Sequence, residues 1–290
     1  MGGYMRLRLA SSILASVLLV GTGAAATPPT AGRGPSATGM VSVRAERPIT
    51  RPAPSERLAT GGDGALVRSG ACPSGATCFK DASGAEWVGR PTPEDDDGRD
   101  RAGNEHAIAA IYRLAEPAFG TVAPEVRVAK IDGKPFLLSK RVVLGEPRSL
   151  NDAQLKQFAD GFVIDAWLAS WNVGGVWQLA VDAFGRPVRI DGSGGGLFRA
   201  RGASKDTAFA DQVPELETMR DPLHATSYAF RKLSDRDVKD QLRRFAAWYP
   251  SHKREVDALV DATTLRPDAA SELKRKLATR AAWLIAKSKR

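Results

Sequence analysis

The sequence predicts an α+β fold in which a β-rich N-terminal part precedes a mainly helical C-terminal part. Three short segments, at 65–68, 78–80 and 86–88, are separated by glycine-containing turns, which is typical of antiparallel strands. Beyond residue 150, apolar residues recur at helical spacing. Strands first and helices later favour an α+β fold with two lobes, and a ligand would bind between such lobes.

The rest of the β-rich part is predicted from turns and charge. Two more strands are expected at 125–128 and 136–139, on either side of an Asp132-Gly133 turn. The acidic segment at 94–97 is expected to be a loop. A helix should follow this loop, with Asn104 as its N-cap.

The C-terminal part is predicted to be helical because apolar stripes and capping residues alternate along it. Asn151 and Ser234 have the position of N-caps, and Pro267 that of a first-turn proline. The predicted helices span residues 150–169, 234–249, 251–261 and 267–287.

Residues 1–26 have the pattern of a secretory signal peptide. Arg6 and Arg8 precede an apolar run at 9–20, and small residues follow the run. The run is too short for a permanent membrane span, although an uncleaved N-terminal anchor is the alternative. We therefore expect a secreted or periplasmic protein with no transmembrane segment after signal cleavage.

The remainder divides into three predicted regions. Residues 27–62 are rich in Pro, Ala and Gly and lack any hydrophobic period, which predicts a disordered linker. A β-rich N-lobe is expected at 63–145 and a helical C-lobe at 146–290. With 43% hydrophobic residues over 290 positions, the chain can bury one large core or two smaller ones.

The cysteine pattern agrees with export. Cys72 and Cys78 are the only cysteines, and in an oxidising compartment we expect them to form one disulfide. A structural zinc site is disfavoured because His106, His224 and His252 show no metal-ligand spacing.

The formal net charge is +9, and much of the excess lies near the C-terminus. A basic helix can attract nucleic acid, but no aromatic residues are interleaved here for base stacking. We expect a solvated face and no nucleic-acid partner; any protein substrate or partner is unknown. The cations concerned are Lys274, Arg275, Lys276, Arg280, Lys287, Lys289 and Arg290.

The most informative segment lies between residues 161 and 200. It reads G-F-V-I-D-A-W-L-A-S-W-N at 161–172, D-A-F-G-R-P-V-R-I-D at 182–191, and G-G-G-L-F-R-A at 194–200. This segment, with Asn-Glu at 104–105 upstream, resembles the atypical bacterial kinase-like family related to HipA and the phosphoinositide-kinase branch of the protein-kinase fold. The resemblance implies a bilobal kinase-like fold, ATP and Mg²⁺ as ligands, and phosphoryl transfer as the chemistry.

The resemblance gives Asp191 the place of the metal-binding aspartate. A carboxylate at a strand end within a glycine-rich loop is exposed and can hold Mg²⁺ through its oxygens, and Gln178 would supply a second ligand through its carbonyl. The alternative reading makes Asp191 a turn residue that caps the loop.

The resemblance also implies three nucleotide-binding positions. Glu105 matches a helix glutamate that pairs with a phosphate-binding lysine, and Arg90 occupies the place of that lysine. Lys80 is the alternative partner if the strands shift in register. Gly75 lies in the turn that, by the resemblance, covers the nucleotide phosphates. The disulfide at this turn would either preorganise a cradle of backbone N–H groups for the phosphates or replace it with a structural staple, and we favour the staple.

Two further departures indicate a degenerate catalytic site. Asn172 and Gln178 stand where active relatives usually carry Asp and Asn. Asn172 can orient a hydroxyl group but has no basic lone pair to accept its proton, so we expect weak or absent catalysis at Asn172 and Asp191. Three functions therefore stay open: an exported phosphotransferase, an inactive kinase-fold protein that acts through a partner, and an unrelated secreted α+β binding domain.

Overall fold

The computed structural model describes residues 66–72, 76–143, 150–190 and 192–290, all within one compact unit. The predicted signal peptide and linker lie outside the described residues, as do Gly75 and Asp191. Within the described part of the chain, no helix combines the length and apolar character needed to cross a bilayer.

An antiparallel sheet of five strands forms the N-terminal part, in the order β1-β2-β3-β5-β4. Asp132 and Gly133 have φ angles of 52° and 77°, which makes the predicted two-residue hairpin turn between the last two strands. Cys72 and Cys78 form the predicted disulfide. The strands are β1 (Val67–Ala71), β2 (Thr77–Lys80), β3 (Glu86–Pro91), β4 (Val126–Ile131) and β5 (Lys134–Lys140).

Helix α1 (Asp96–Phe119) follows β3 and begins earlier than predicted. Asp95 is its N-cap and accepts a hydrogen bond from the Gly98 N–H at 2.6 Å, with two more aspartates in the first turn. Acidic side chains stabilise the positive end of a helix, so the segment 94–97 starts the helix and is not a free loop. The prediction that Asn104 caps this helix is therefore wrong.

Helix α1 separates the sheet from the helical part of the molecule. Ala102 and Ala109 on one face pack with Val126 of β4 and Leu137 of β5. The opposite face carries Ile108 and its neighbours into the large hydrophobic cluster of the C-terminal helices. Residues on α1 can therefore contact both parts.

The C-terminal part contains five α-helices and a two-stranded sheet among its described residues. Asn151 and Ser234 are N-caps with complete capping boxes, and Pro267 begins the last helix, as predicted. The elements are α2 (Asp152–Ala159), α3 (Phe162–Trp167), β6 (Leu179–Val181), β7 (Pro187–Arg189), α4 (Glu215–Thr218), α5 (Asp235–Asp261) and α6 (Pro267–Ser288).

Two predicted helix boundaries differ from the structure. The helix predicted at 150–169 is interrupted at Gly161, where the Arg189 guanidinium occupies the space that a side chain would need. By contrast, α5 continues through Pro250, because buried apolar residues such as Phe245 and Val256 hold the helix on both sides of the proline. The α+β prediction itself is confirmed: an antiparallel sheet precedes a helical region.

Candidate functional site

Arg90 on β3 and Glu105 on α1 form an ion pair through Nη2 and Oε2. The Glu105 side chain is 14% exposed and that of Arg90 is 57% exposed, so the pair lies at the edge of the interior. Lys80, the alternative partner, instead has its Nζ 3.6 Å from Oε1 of Glu86, the residue opposite it on β3. The structure thus brings Arg90 and Glu105 together and leaves Lys80 elsewhere.

The Arg90–Glu105 pair lies on the wall of a cleft of about 250 Å³. The end of β3, the first half of α1 and the loop at 193–202 surround this cleft. Four arginines and a single carboxylate, that of Glu105, are its charged lining among the described residues, so the cleft has an excess of positive charge. The arginines are Arg90, Arg101, Arg199 and Arg201.

The glycine-rich loop at 192–197 is fixed from one side by Asn104 of α1. The buried Asn104 carboxamide donates to the Gly195 carbonyl at 2.9 Å and accepts from the Leu197 N–H at 3.0 Å. Gly196 has a φ of 65°, and a Cβ atom added there would lie less than 3.0 Å from Asn104 Oδ1, so a side chain would not fit. Asn104 therefore shapes the loop from within the helix.

Asn172 lies against the same loop, in the turn that follows α3. A Cβ atom added at Gly194 would lie less than 3.0 Å from Asn172 Oδ1, so the glycine is what allows the contact. Two residues before Asn172, Ser170 Oγ accepts a hydrogen bond of 2.7 Å from the Tyr112 hydroxyl of α1, which fixes the start of this turn. The predicted residue Asn172 is thus placed beside the loop that follows Asp191 in sequence.

The metal prediction is not resolved by the described residues. Gln178 ends one turn of 3₁₀ helix before β6, is half-buried, and is absent from the described residues that line the cleft. In the ranges that the structure describes, no group of three or more His, Cys, Asp or Glu side chains can hold a metal ion. The proposed ligand pair of Asp191 and Gln178 stays a prediction, as does the role of Gly75.

Strand β7, which leads to residue 191, is anchored by a buried ion pair. Arg189 donates two hydrogen bonds of 2.7 Å to the carboxylate of Asp165 in α3, and both side chains are fully buried. A third bond, of 2.9 Å, reaches the carbonyl of Phe158. The end of β7 is therefore fixed to the helical core.

Lys205 is a site residue that the sequence analysis missed. Its Nζ donates to the carbonyls of Ala169, at 2.7 Å, and Gly194, at 2.6 Å. Burial lowers the pKa of the Lys205 ammonium to about 7. In the sequence this lysine stands among Arg201, Ser204 and Asp206, and such a polar segment indicates a solvated loop.

Arg280 of α6 completes the buried network behind the site. It donates to Glu215 Oε2 at 2.8 Å, and Trp171 Nε1 donates to the other oxygen of Glu215 at 2.8 Å. Four backbone carbonyls accept the remaining bonds of its guanidinium: those of Ala166, Trp167, Ala210 and Gln212. The expectation that this cation lies on a solvated face is wrong for Arg280, which is fully buried.

Comparison with known proteins does not assign this chain to a family. No family model matches the chain, and no curated protein matches it. One similar solved structure is the crystal structure of a Helicobacter pylori proinflammatory kinase, CtkA, with 12% sequence identity and a TM-score of 0.49. The match covers 77% of this chain and 95% of that chain. A likeness at this level carries no conclusion about the activity or the ligands of this chain.

Proposed function

We propose that this protein is kinase-like, binds the phosphate groups of a nucleotide such as ATP, and transfers phosphoryl groups weakly or not at all. The observation that carries the proposal is the Arg90–Glu105 pair on the wall of a cleft with three further arginines. Guanidinium groups bind phosphate oxygens through paired, charge-assisted hydrogen bonds. A cleft so lined fits a polyphosphate better than a neutral or cationic ligand.

The position of Asn172 supports weak chemistry. Asn172 stands where the resemblance would put a catalytic aspartate. Its carboxamide contacts Gly194 of the glycine-rich loop. A carboxamide can accept a hydrogen bond from a hydroxyl group but cannot take its proton. Loss of a general base lowers rates by about 10²–10⁴-fold, so binding without efficient turnover is the expected behaviour.

The proposal includes Mg²⁺, with Asp191 and Gln178 as its ligands. Both assignments are based on the sequence resemblance. When bound, Mg²⁺ would neutralise negative charge on the phosphates. The arginines of the cleft supply positive charge of their own, so part of the phosphate affinity should persist without the metal. Export to an oxidising compartment is also part of the proposal, and the Cys72–Cys78 disulfide supports it.

The proposal is tested by calorimetric titration of the purified protein, with its disulfide intact, with ATP and Mg²⁺. We expect Arg90→Ala to weaken binding at least about tenfold, because a charge-assisted hydrogen bond is removed. Arg243→Ala is the matched control, since Arg243 forms an exposed ion pair with Asp240 on α5. Asp191→Ala should remove the magnesium dependence. Absence of ATP binding to the unmodified protein would overturn the proposal.

A gain-of-function variant tests the catalytic part. Asn172→Asp restores a carboxylate at the same place, and we expect phosphoryl transfer from radiolabelled ATP to rise about 10²-fold or more. Asn172→Ala is the control, because it removes the hydrogen-bonding group without adding a base. If ATP binds but neither the unmodified protein nor Asn172→Asp yields a phosphorylated product, the alternative is favoured: an inactive nucleotide-binding protein that acts through a partner.

A further inference from the structure

Lys205 buries its side-chain amino group in the interior of the protein. Its residue is 2% exposed, and in the described part of the chain no ion pair is formed by its Nζ. Burying an ammonium group costs several kcal/mol unless hydrogen bonds compensate. Among the described residues, the Lys205 side chain donates two hydrogen bonds, to the backbone carbonyls of Ala169 and Gly194.

These two carbonyls belong to the two segments that meet at Asn172. Ala169 has a left-handed backbone with a φ of 51° and begins the turn that leads to Asn172. Gly194 is the glycine that the Asn172 carboxamide contacts. The backbone N–H of Lys205 also donates to the Leu197 carbonyl at 2.8 Å. One residue therefore binds the Asn172 turn and both ends of the glycine-rich segment 194–197.

The surroundings of the ammonium are aromatic and mostly cationic. Its Nζ lies 4.7 Å from the ring centre of Trp171 and 5.7 Å from that of Phe209. Glu215 favours the charged form, whereas Arg280 and Arg199 oppose it. Both Glu215 oxygens are already bonded to Trp171 and Arg280, and Asp206, next in sequence, bonds to Ser204 instead.

We propose that Lys205 is a positioning residue that holds the Asn172 turn against the glycine-rich loop, and that its protonation loosens this contact. The inference deepens the proposed function, since it concerns the same site, but the loop contacts exist whether or not a nucleotide binds. Asn104 holds the loop from the α1 side, so Lys205 is the anchor on the α3 side.

The direction of the pH effect follows from the two environments of the ammonium. We call the loop closed while Lys205 is buried against residues 194–197, and open when the loop has detached and the lysine is in water. In the closed loop the pKa of Lys205 is about 7, and in the open loop it returns towards its ordinary value of 10.5. The open state therefore binds more protons between these values, and rising pH favours the closed loop. Linkage of one proton changes the opening equilibrium by up to about tenfold for each pH unit above 7.

Hydrogen exchange followed by mass spectrometry tests the inference on the protein without ligand. In the unmodified protein, protection of the amides of Gly196 and Leu197, corrected for intrinsic exchange, should rise from pH 7 to pH 9 relative to amides of α5. Lys205→Met should raise their exchange at least about tenfold at pH 9 and remove the pH dependence, because the two carbonyls lose their donor.

Gln241→Met is the matched control. Gln241 is a buried polar side chain that also bonds two backbone groups, the Val163 N–H and the Ala159 carbonyl, away from the loop. This variant should raise exchange near 159–163 and leave residues 194–197 protected. Equal loop protection in Lys205→Met and the unmodified protein would overturn the inference. If Lys205→Met does not fold, a flat pH profile in the unmodified protein would overturn it instead.

Failure of this inference can be told from failure of the proposed function. If ATP does not bind but the protection of residues 194–197 depends on pH as expected, Lys205 is still a positioning residue, in a site that takes another ligand. Normal ATP binding with a pH-independent loop would refute only the role of Lys205.

Discussion

The sheet and the helical part of this molecule are stabilised in different ways. The sheet has two small clusters of buried apolar residues, a disulfide, and ion pairs at its surface such as Arg68–Asp132. The helical part has one large apolar cluster, and within it buried cations such as Arg189 and Arg280 whose partners come from distant segments.

This difference indicates how each part responds to change. An exposed ion pair contributes little to folding stability, because water solvates both partners when the pair is broken. A buried, hydrogen-bonded cation is different, since removal of either partner leaves desolvated polar groups unpaired. Substitutions on the Arg90 side of the candidate site should therefore reduce the folding stability less than substitutions on the Asn172 side.

The largest expected effect tests the helical part directly. Arg280→Met leaves the Glu215 carboxylate and four backbone carbonyls without this donor, and we expect a loss of about 3–5 kcal/mol in the free energy of unfolding. Urea denaturation followed by circular dichroism measures it. Arg275→Met, five residues earlier on α6, removes only exposed ion pairs with Glu272 and Asp211 and should leave the midpoint unchanged. Equal effects in the two variants would contradict the comparison.

A smaller effect is expected from the disulfide of the sheet. The Cys72–Cys78 bond closes a loop with a sequence separation of six, and restricting so short a loop in the unfolded chain stabilises by about 2 kcal/mol. Thermal unfolding of the double variant Cys72→Ala/Cys78→Ala should show this loss. The unmodified protein in reducing buffer is the control and should behave like the variant; an unchanged transition in both would show that the staple is dispensable.

The smallest effect concerns Asp81 at the turn between β2 and β3. Hydrogen bonds from Ser83 and from Trp87 Nε1 lower the pKa of Asp81 to about 2, from an ordinary value of 3.8. The ionised carboxylate therefore stabilises the fold above about pH 4, and this contribution is lost as the pH falls towards 2.

Urea midpoints at pH 4, 3 and 2 measure this contribution. Asp81→Asn should show a shallower decline than the unmodified protein, whereas Asp132→Asn, which removes an exposed carboxylate at the next turn of the sheet, should follow the unmodified protein. A decline in Asp81→Asn as steep as in the unmodified protein would show that the turn carboxylate is irrelevant to acid stability.

Local structure was predictable from the sequence because its causes are local. The Asp132-Gly133 turn, the Asn151 cap and the Pro267 start each depend on residues within a few positions, and the structure confirms them. The start of α1 was missed although Asp95 provides a recognisable cap signal. Pro250 misled the prediction because the tertiary packing of α5 outweighs one missing hydrogen bond.

The candidate site was predictable only in part. The structure pairs Arg90 with Glu105, as the motifs suggest, and it places Asn172 against the glycine-rich loop, a contact that the motifs do not predict. The nucleotide-binding and catalytic roles of these residues stay predictions. Lys205 and Arg280 could not be identified in advance, because their acceptors are carbonyls up to 114 positions away in the chain. A cation in a polar segment has the same sequence pattern whether it is solvated or buried.

The glycine-rich loop also limits how the sequence of this protein can diverge. Three consecutive glycines, at 194–196, each face a different side chain at close range, those of Asn172, Ser170 and Asn104. A substitution at any of them requires the facing side chain to move or to change, so we expect these positions to accept few substitutions. A Cβ atom added at Gly192 would lie 3.4 Å from Ile108 Cγ2, which is an ordinary contact distance, so this position has room for a methyl group. Homologues should therefore vary at 192 long before they vary at 194–196.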